Sequence, residues 1–227
     1  MKNIKIAPLS HMIQKKSKDN EYYTPDYAID MIKDFIPQLK GGTVIWEAFT
    51  LGNPQLIESS KYLYELGYNG TKGEVLTTSY DFFEITDKAT KETLINYTKI
   101  GWNSDNTIEL SSCKSFLNKI DICISNPPYA TPKGKINIKK RIIERLCSIN
   151  KPFMLLLPTL FLQTKIFKSI VDKYGLFQFI IPSKKIQFYK IINDEIIRSR
   201  SKHLKGCSFY TCWICRNINL PKDINFV

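Results

Sequence analysis

Hydrophobic and polar positions along the chain fall into blocks that predict helices and strands in alternation. Helical spacing of apolar residues, such as Ile29, Ile32 and Ile36, indicates a helix that Thr24 would cap and Pro25 would open. Short apolar runs that end at polar or turn residues predict strands. The predicted helices cover residues 25–36, 53–66, 138–149 and 160–174, and the predicted strands cover residues 43–46, 74–78, 120–125, 153–157, 177–181 and 208–216.

This alternation predicts an α/β fold with a mostly parallel sheet and helices on both faces. Such sheets bind ligands at the carboxyl ends of their strands. A chain of 227 residues accommodates one domain of this kind, covering residues 1–227. Residues 1–20 are polar and basic and are interpreted as an arm, whereas residues 84–118 lack a strong period and are interpreted as an insertion or lid, with the potential to form a small recognition element.

The charge balance favours a polyanionic partner, because 33 Lys and Arg against 21 Asp and Glu leave a net charge of +12. The abundance of Lys, Asn and Ile also fits an A/T-rich coding sequence, so charge alone leaves nucleic acid as a candidate. The longest apolar run, residues 153–157, stops at Pro158 and is far too short for a membrane span. We expect an intracellular protein of the cytoplasm, a viral factory or the nucleoid.

The cysteines do not predict a disulfide scaffold, since they are scattered through apolar segments of a chain large enough to form a core. Cys212 and Cys215 form one C-x-x-C pair in an apolar, aromatic run. A single pair is a weak metal signal, and a buried strand explains it more simply. The sequence therefore predicts no metal site.

The strongest chemical signal is the segment Asn126-Pro127-Pro128-Tyr129, which directly follows a predicted strand. An exocyclic amine is a poor nucleophile because its lone pair is delocalised into the ring. Two acceptors, the side-chain oxygen of Asn126 and the carbonyl oxygen of Pro127, would favour a tetrahedral nitrogen, and the prolines would hold them in place. Tyr129 offers a flat face for an extracted base. A rigid strand-to-loop turn without chemistry is the alternative interpretation.

Three more segments precede this tetrapeptide, at residues 21–25 (EYYTP), 46–52 (WEAFTLG) and 81–83 (DFF). In this order the segments resemble the motifs of nucleic-acid amino-methyltransferases, especially the small viral and phage DNA adenine-N6 methyltransferases with a Rossmann-like fold. The resemblance implies S-adenosylmethionine as cofactor and Asn126 to Tyr129 as catalytic residues. The residues that it implies for cofactor binding are Tyr22, Tyr23, Thr24, Pro25, Glu47, Phe49, Gly52, Asp81 and Phe82.

The cofactor loop departs from the family pattern at two positions. Ala48 replaces a common proline, and Asn53 stands where a second glycine is frequent. Because glycine lets a backbone approach a ligand closely, this departure motivates a third hypothesis, a catalytically inactive nucleic-acid-binding homologue. The acid that would hold the ribose after the second strand is not identified, since Thr77 and Thr78 occupy its place.

Basic residues are concentrated at 133–145 and 183–205, on both sides of the expected ligand edge, and amide and aromatic residues are interleaved with them. Such a mixture is typical of contacts to phosphates and bases. The candidate nucleic-acid-binding residues are Lys133, Lys135, Lys139, Lys140, Lys184, Lys185, Arg198 and Arg200.

The sequence thus predicts a DNA adenine-N6 methyltransferase. Two alternatives keep the chemistry and change the substrate, to adenosine in RNA or to a glutamine amide in a protein. A dedicated target-recognition domain is not evident, so target specificity would be low or would come from a homo-oligomer or a partner subunit.

Overall fold

The computed structural model describes backbone and side chains for residues 24–37, 39, 43–49, 117–129, 137–188 and 209–227. For residues 74–78, 95–101, 104–110, 189–192 and 195–198 it describes the backbone of strands. The predicted arm at 1–20 and the predicted helix at 53–66 lie outside the described residues.

Three α-helices are described: α1 (Asp26–Asp30), α2 (Ile138–Ser148) and α3 (Lys165–Tyr174), and 3₁₀ turns lie at Lys33–Phe35 and Thr159–Gln163. Polar side chains cap the two longer helices, since Asn137 Oδ1 accepts from the backbone N–H of Lys140 at 3.2 Å and Thr164 Oγ1 accepts from that of Phe167 at 3.1 Å. The residue that ends α3 is Gly175, whose φ of 84° favours glycine.

The predicted start of the first helix was wrong by one position. Pro25 is itself the N-cap, with φ −72° and ψ 155°, and no side chain caps this helix. The helix is also short, because its second half tightens into the 3₁₀ turn at Lys33–Phe35. The cause is backbone geometry: Pro25 has extended dihedrals, so helical dihedrals begin only at Asp26.

The strands are β1 (Val44–Glu47), β2 (Glu74–Thr78), β3 (Ile95–Gly101), β4 (Ser104–Leu110), β5 (Ile122–Ser125), β6 (Phe153–Pro158), β7 (Gln178–Ile181), β8 (Tyr189–Ile192), β9 (Glu195–Arg198), β10 (Thr211–Arg216) and β11 (Ile224–Phe226). Nine of them form one sheet in the order β11-β7-β10-β6-β5-β1-β2-β3-β4, and β8 pairs with β9 separately. β1 runs parallel to β2 and β5, and β5 runs parallel to β6. β10 is antiparallel to both β6 and β7, and β3 is antiparallel to both β2 and β4. The predicted α/β class is confirmed, but the sheet is mixed rather than uniformly parallel.

Apolar side chains cover both faces of the sheet, as expected for strands buried between two layers. On one face, Cys123, Leu155 and Ile214 pack with the apolar residues of α2 and α3. On the other face, Ile124 and Trp213 pack in a cluster with the apolar residues of α1. The sheet therefore holds a core on each side and leaves its carboxyl edge for other contacts.

Cys212 and Cys215 belong to opposite core clusters, so their side chains point away from each other across β10. Both are free and buried. Burial raises the pKa of Cys212 to about 12 and raises that of Cys215 as well. The pair therefore behaves as two core thiols in a strand.

Two segments predicted without regular structure contain hairpins. β3 and β4 lie within residues 84–118 and extend the sheet beyond β2, and β8 and β9 lie within the basic stretch 183–205. The interpretation of 84–118 as a recognition element stays a prediction. Among the described residues, no helix combines the length and apolar character needed to cross a bilayer.

Candidate active site

The sheet has a topological switch point between β1 and β5. From β1 the chain proceeds to β2 on one side, and the next parallel strand, β5, lies on the other side. At such a point the connections leave in opposite directions and open a crevice at the carboxyl ends of the strands. Glu47 is the last residue of β1 and Ser125 is the last residue of β5. The predicted cofactor loop and the predicted catalytic segment therefore begin next to each other.

A buried hydrogen bond joins these two strand ends. Ser125 Oγ donates to Glu47 Oε1 at 2.9 Å, and the two residues are only 2% and 5% exposed. A carboxylate buried this deeply needs such partners. Burial and, secondarily, the negative charge of Glu47 raise the pKa of the Cys123 thiol well above its usual range. Sequence reasoning identified Glu47 but missed Ser125, whose signal was a small polar residue at the end of an apolar strand.

The segment after Ser125 leaves the sheet without regular structure. Pro127 is buried, Asn126 and Tyr129 are half-buried, and the side-chain oxygens of Asn126 and Tyr129 are shielded from solvent. Hydrogen bonds in such a water-poor environment are electrostatically stronger than in bulk water. The predicted catalytic segment therefore lies partly enclosed at the carboxyl edge, and its stiffness and role stay predictions.

Tyr129 is part of an aromatic cluster formed with Phe188 and Phe209. Its ring meets that of Phe209 edge-on, with centroids 5.4 Å apart, and that of Phe188 with centroids 6.3 Å apart. The rings of Phe188 and Phe209 are 6.2 Å apart. The cluster joins the predicted catalytic segment to two later parts of the chain. Phe188 lies in the basic stretch 183–205, where aromatic residues are interleaved, and Phe209 lies in the segment predicted only as the last strand.

Lys139 contacts the predicted catalytic segment itself. Its Nζ donates to the carbonyl oxygen of Tyr129 at 2.5 Å and lies 5.7 Å from the centroid of the Phe161 ring. Burial lowers the pKa of this lysine. The hydrogen bond connects the first turn of α2 to the end of the turn at 126–129, so in this structure Lys139 holds protein backbone.

The other described candidates occupy distinct places. Lys140 forms an ion pair with Glu144 at 4.0 Å, and Lys184 is exposed. Phe49 is half-buried against the core on the α2 and α3 side. Thr24 and Pro25 are buried directly before α1, which is the helix on the opposite face.

A hydrogen bond connects α1 to a later segment, since the Tyr27 hydroxyl accepts from the backbone N–H of Gln187 at 2.6 Å. Lys185 Nζ lies 5.5 Å from the centroid of the Tyr210 ring. Arg198 ends β9, of which only the backbone is described. The candidates outside the described residues are Tyr22, Tyr23, Gly52, Asp81, Phe82, Lys133, Lys135 and Arg200.

Comparison with known proteins gives distant structural neighbours and no match at the level of a family. No family model and no curated protein matches the chain. Among solved structures it is similar to a modification subunit of a putative type I restriction enzyme from Vibrio vulnificus, with a TM-score of 0.40 and 12% sequence identity. The similarity covers 92% of this chain and 47% of that subunit, so the chain spans about half its length. At this TM-score and identity, the similarity identifies neither the activity nor the substrate of this chain.

Proposed function

We propose that this protein transfers a methyl group from S-adenosylmethionine to the exocyclic N6 amine of adenine in DNA. The observation that carries the proposal is the buried hydrogen bond between Ser125 and Glu47 at the switch point of the sheet. It joins the strand end that begins the cofactor-like loop to the strand end that begins Asn126-Pro127-Pro128-Tyr129. The resemblance of both segments to amino-methyltransferases supports the same assignment.

The residues at the carboxyl edge fit the cofactor chemically. S-adenosylmethionine, when bound, supplies an electrophilic methyl group on a positively charged sulfur. A carboxylate has two oxygens that accept hydrogen bonds, and Ser125 Oγ donates one such bond to Glu47. An acidic group at this place suits a ligand that carries hydroxyl groups and positive charge. Tyr22, Tyr23, Thr24, Pro25, Phe49, Gly52, Asp81 and Phe82 are proposed to complete this site.

Asn126 and Pro127 are proposed to orient the target amine. The side-chain oxygen of Asn126, which is shielded from solvent, and the carbonyl oxygen of Pro127 would accept from the two N–H bonds. The cofactor would supply the methyl group and its sulfur would keep the electron pair of the broken bond, while Asn126 and Pro127 would hold the amine with its lone pair toward that methyl group. The amine becomes positive until a proton leaves, and preorganised carbonyl dipoles stabilise that charge. Pro128 stiffens the turn and Tyr129 offers a ring for the base.

Charge supports nucleic acid as the substrate. The net charge of +12 favours polyanions, and Lys184 and Lys185 lie just before Phe188 of the aromatic cluster. Together with the other candidate lysines and arginines, apart from Lys139 and Lys140, whose Nζ atoms contact protein groups, they are proposed to contact phosphates. The preference for DNA over RNA rests on the family resemblance, and target recognition is assigned to a second copy of the chain or to a partner subunit.

The proposal is tested by supplying methyl-labelled S-adenosylmethionine with DNA, RNA and protein in parallel, and by digesting the products to identify the labelled unit. We expect label in N6-methyladenine from DNA. Label only in RNA or only in glutamine would move the activity to one of the alternative substrates. If calorimetry shows no cofactor binding, the chain is instead the inactive nucleic-acid-binding homologue.

Replacement of Lys139 tests whether its contact with Tyr129 supports the reaction. Lys139→Met removes a charged donor to a backbone carbonyl, an interaction worth about 1.5–3 kcal/mol. We expect kcat to fall on the order of tenfold or more, with KM for nucleic acid nearly unchanged, because the turn at 126–129 loses a fixed end. Lys139→Arg, which can still donate, should recover most of the rate.

Lys140→Met is the matched control, since Lys140 is the next residue on α2 and pairs only weakly with Glu144. It should leave kcat unchanged. A Lys139→Met variant that keeps its kcat but binds nucleic acid with a shallower salt dependence would show that Lys139 contacts a phosphate instead.

A further inference from the structure

Tyr210 is exposed at the carboxyl edge of the sheet, directly after Phe209, a partly buried aromatic partner of Tyr129. Phe209 packs in the aromatic cluster, whereas Tyr210 is 63% exposed. Leu160, at the carboxyl end of β6, is 65% exposed. Large apolar side chains grouped on a surface commonly mark a binding site. We call Tyr210, Leu160 and Lys185 the Tyr210 surface.

The backbone of Tyr210 is held in place. Its carbonyl oxygen accepts from the backbone N–H of Thr159 at 2.9 Å and from the Thr159 hydroxyl at 3.3 Å. The register of β10 against β6 continues this contact, since Thr211 pairs with Pro158. The ring is therefore presented from a backbone that two strand ends fix, and a fixed aromatic ring loses little entropy when a ligand stacks on it.

A positive charge accompanies the exposed ring. Lys185 Nζ lies 5.5 Å from the Tyr210 ring centroid, within the range of a cation–π contact. An ammonium on a flexible side chain can follow the phosphate of a base that stacks on the ring. Proteins that hold unpaired strands combine aromatic platforms and basic groups in this way.

We propose that the Tyr210 surface binds an unpaired nucleobase next to the base that is modified, with Lys185 at the adjoining phosphate. The proposal rests on the proposed function for the identity of the modified base. Charge complementarity selects this occupant, because Lys185 at the ring and a net charge of +12 attract the phosphates of a nucleic-acid strand. Tyr210 thereby becomes a positioning residue for the strand that carries the target.

The test measures the affinity of the full chain for a short, fluorescently labelled single-stranded DNA by anisotropy. Tyr210→Ala should weaken binding on the order of tenfold, since stacking on an aromatic ring contributes substantially per base. Tyr210→Phe keeps the ring and should bind like the unmodified protein. Leu160→Ala should weaken binding a few-fold. Leu176→Ala is its matched control, because Leu176 is 80% exposed but precedes β7 at the opposite edge of the sheet.

Salt dependence separates stacking from phosphate contact. Lys185→Met should reduce the slope of log affinity against log salt concentration by roughly 0.7, the value for one phosphate of a single strand. Tyr210→Ala should lower the affinity at every salt concentration and leave the slope unchanged. These two signatures differ from a general loss of folding, which circular dichroism would report.

Equal affinity of Tyr210→Ala and unmodified protein would overturn the Tyr210 surface, and so would a Tyr210→Phe variant as weak as Tyr210→Ala. Absence of single-strand binding by the unmodified protein would overturn it as well. The binding assay uses no cofactor, so it tests the Tyr210 surface even if methyl transfer fails. Failure of methyl transfer would contradict the proposed function. Conversely, if the wild-type protein transfers methyl groups but Tyr210→Ala binds single-stranded DNA with unchanged affinity, the Tyr210 surface is contradicted and the proposed methyltransferase function is not.

Discussion

Asn126→Ala is expected to lower methyl transfer by at least about 10²–10³-fold, the range found when one preorganised polar group that stabilises a transition state is removed. The variant loses the side-chain oxygen at a position that is shielded from solvent and stands beside the buried Pro127. Water does not replace an acceptor well in such a place, and the amine would no longer be oriented. Single-turnover transfer of labelled methyl groups to DNA measures the effect on the chemical step directly.

Affinity for nucleic acid should change little in Asn126→Ala, because the contacts proposed for binding lie on other residues. Asn126→Asp is the informative companion variant, since it keeps an acceptor oxygen at the same position. We expect it to retain more activity than Asn126→Ala. If Asn126→Ala transfers methyl groups at the wild-type rate, Asn126 has no part in the reaction.

Glu47→Ala is expected to weaken S-adenosylmethionine binding by about 10- to 100-fold, since a hydrogen bond to a charged group contributes roughly 1.5–3 kcal/mol. Glu47 ends β1 at the switch point and is only 5% exposed, so water competes little for the hydrogen bonds of its carboxylate. Isothermal titration calorimetry of the cofactor against each variant measures the change. Nucleic-acid affinity in the absence of cofactor serves as the reference.

Ser125→Ala distinguishes the two roles of Glu47. It removes the hydrogen bond between the strand ends and leaves the carboxylate in place. We expect a smaller loss of cofactor affinity than in Glu47→Ala, with a modest decrease in the thermal unfolding temperature. Unchanged cofactor binding in Glu47→Ala would remove this residue from the cofactor site and would favour the inactive homologue.

Local patterns predicted most of the core strands because a buried strand is short, apolar and bounded by polar residues. The run from Phe153 to Leu157 forms β6 almost as predicted, and the helix predicted at 138–149 forms α2. The hairpin of β3 and β4 was not predicted because many of its residues are polar. It forms strands because β3 pairs with β2 and β4 pairs with β3.

The contact of Lys139 shows the same limit at the level of a side chain. Its position in a basic segment favoured a role at phosphates. In the structure the first turn of α2 instead places Lys139 Nζ against the carbonyl oxygen of Tyr129, ten residues earlier in the chain. No residue type or spacing in the segment predicts this contact between Lys139 and Tyr129.

The sequence by itself determined the α/β class and most of the described apolar strands and helices, because periodicity acts over a few neighbouring residues. Only the tertiary structure decided which of these elements meet. The hydrogen bond from Ser125 to Glu47 spans 78 residues, and Phe209 reaches Tyr129 because β10 runs back antiparallel between β6 and β7. Such pairings follow from the packing of the whole sheet, so they are invisible in any local pattern.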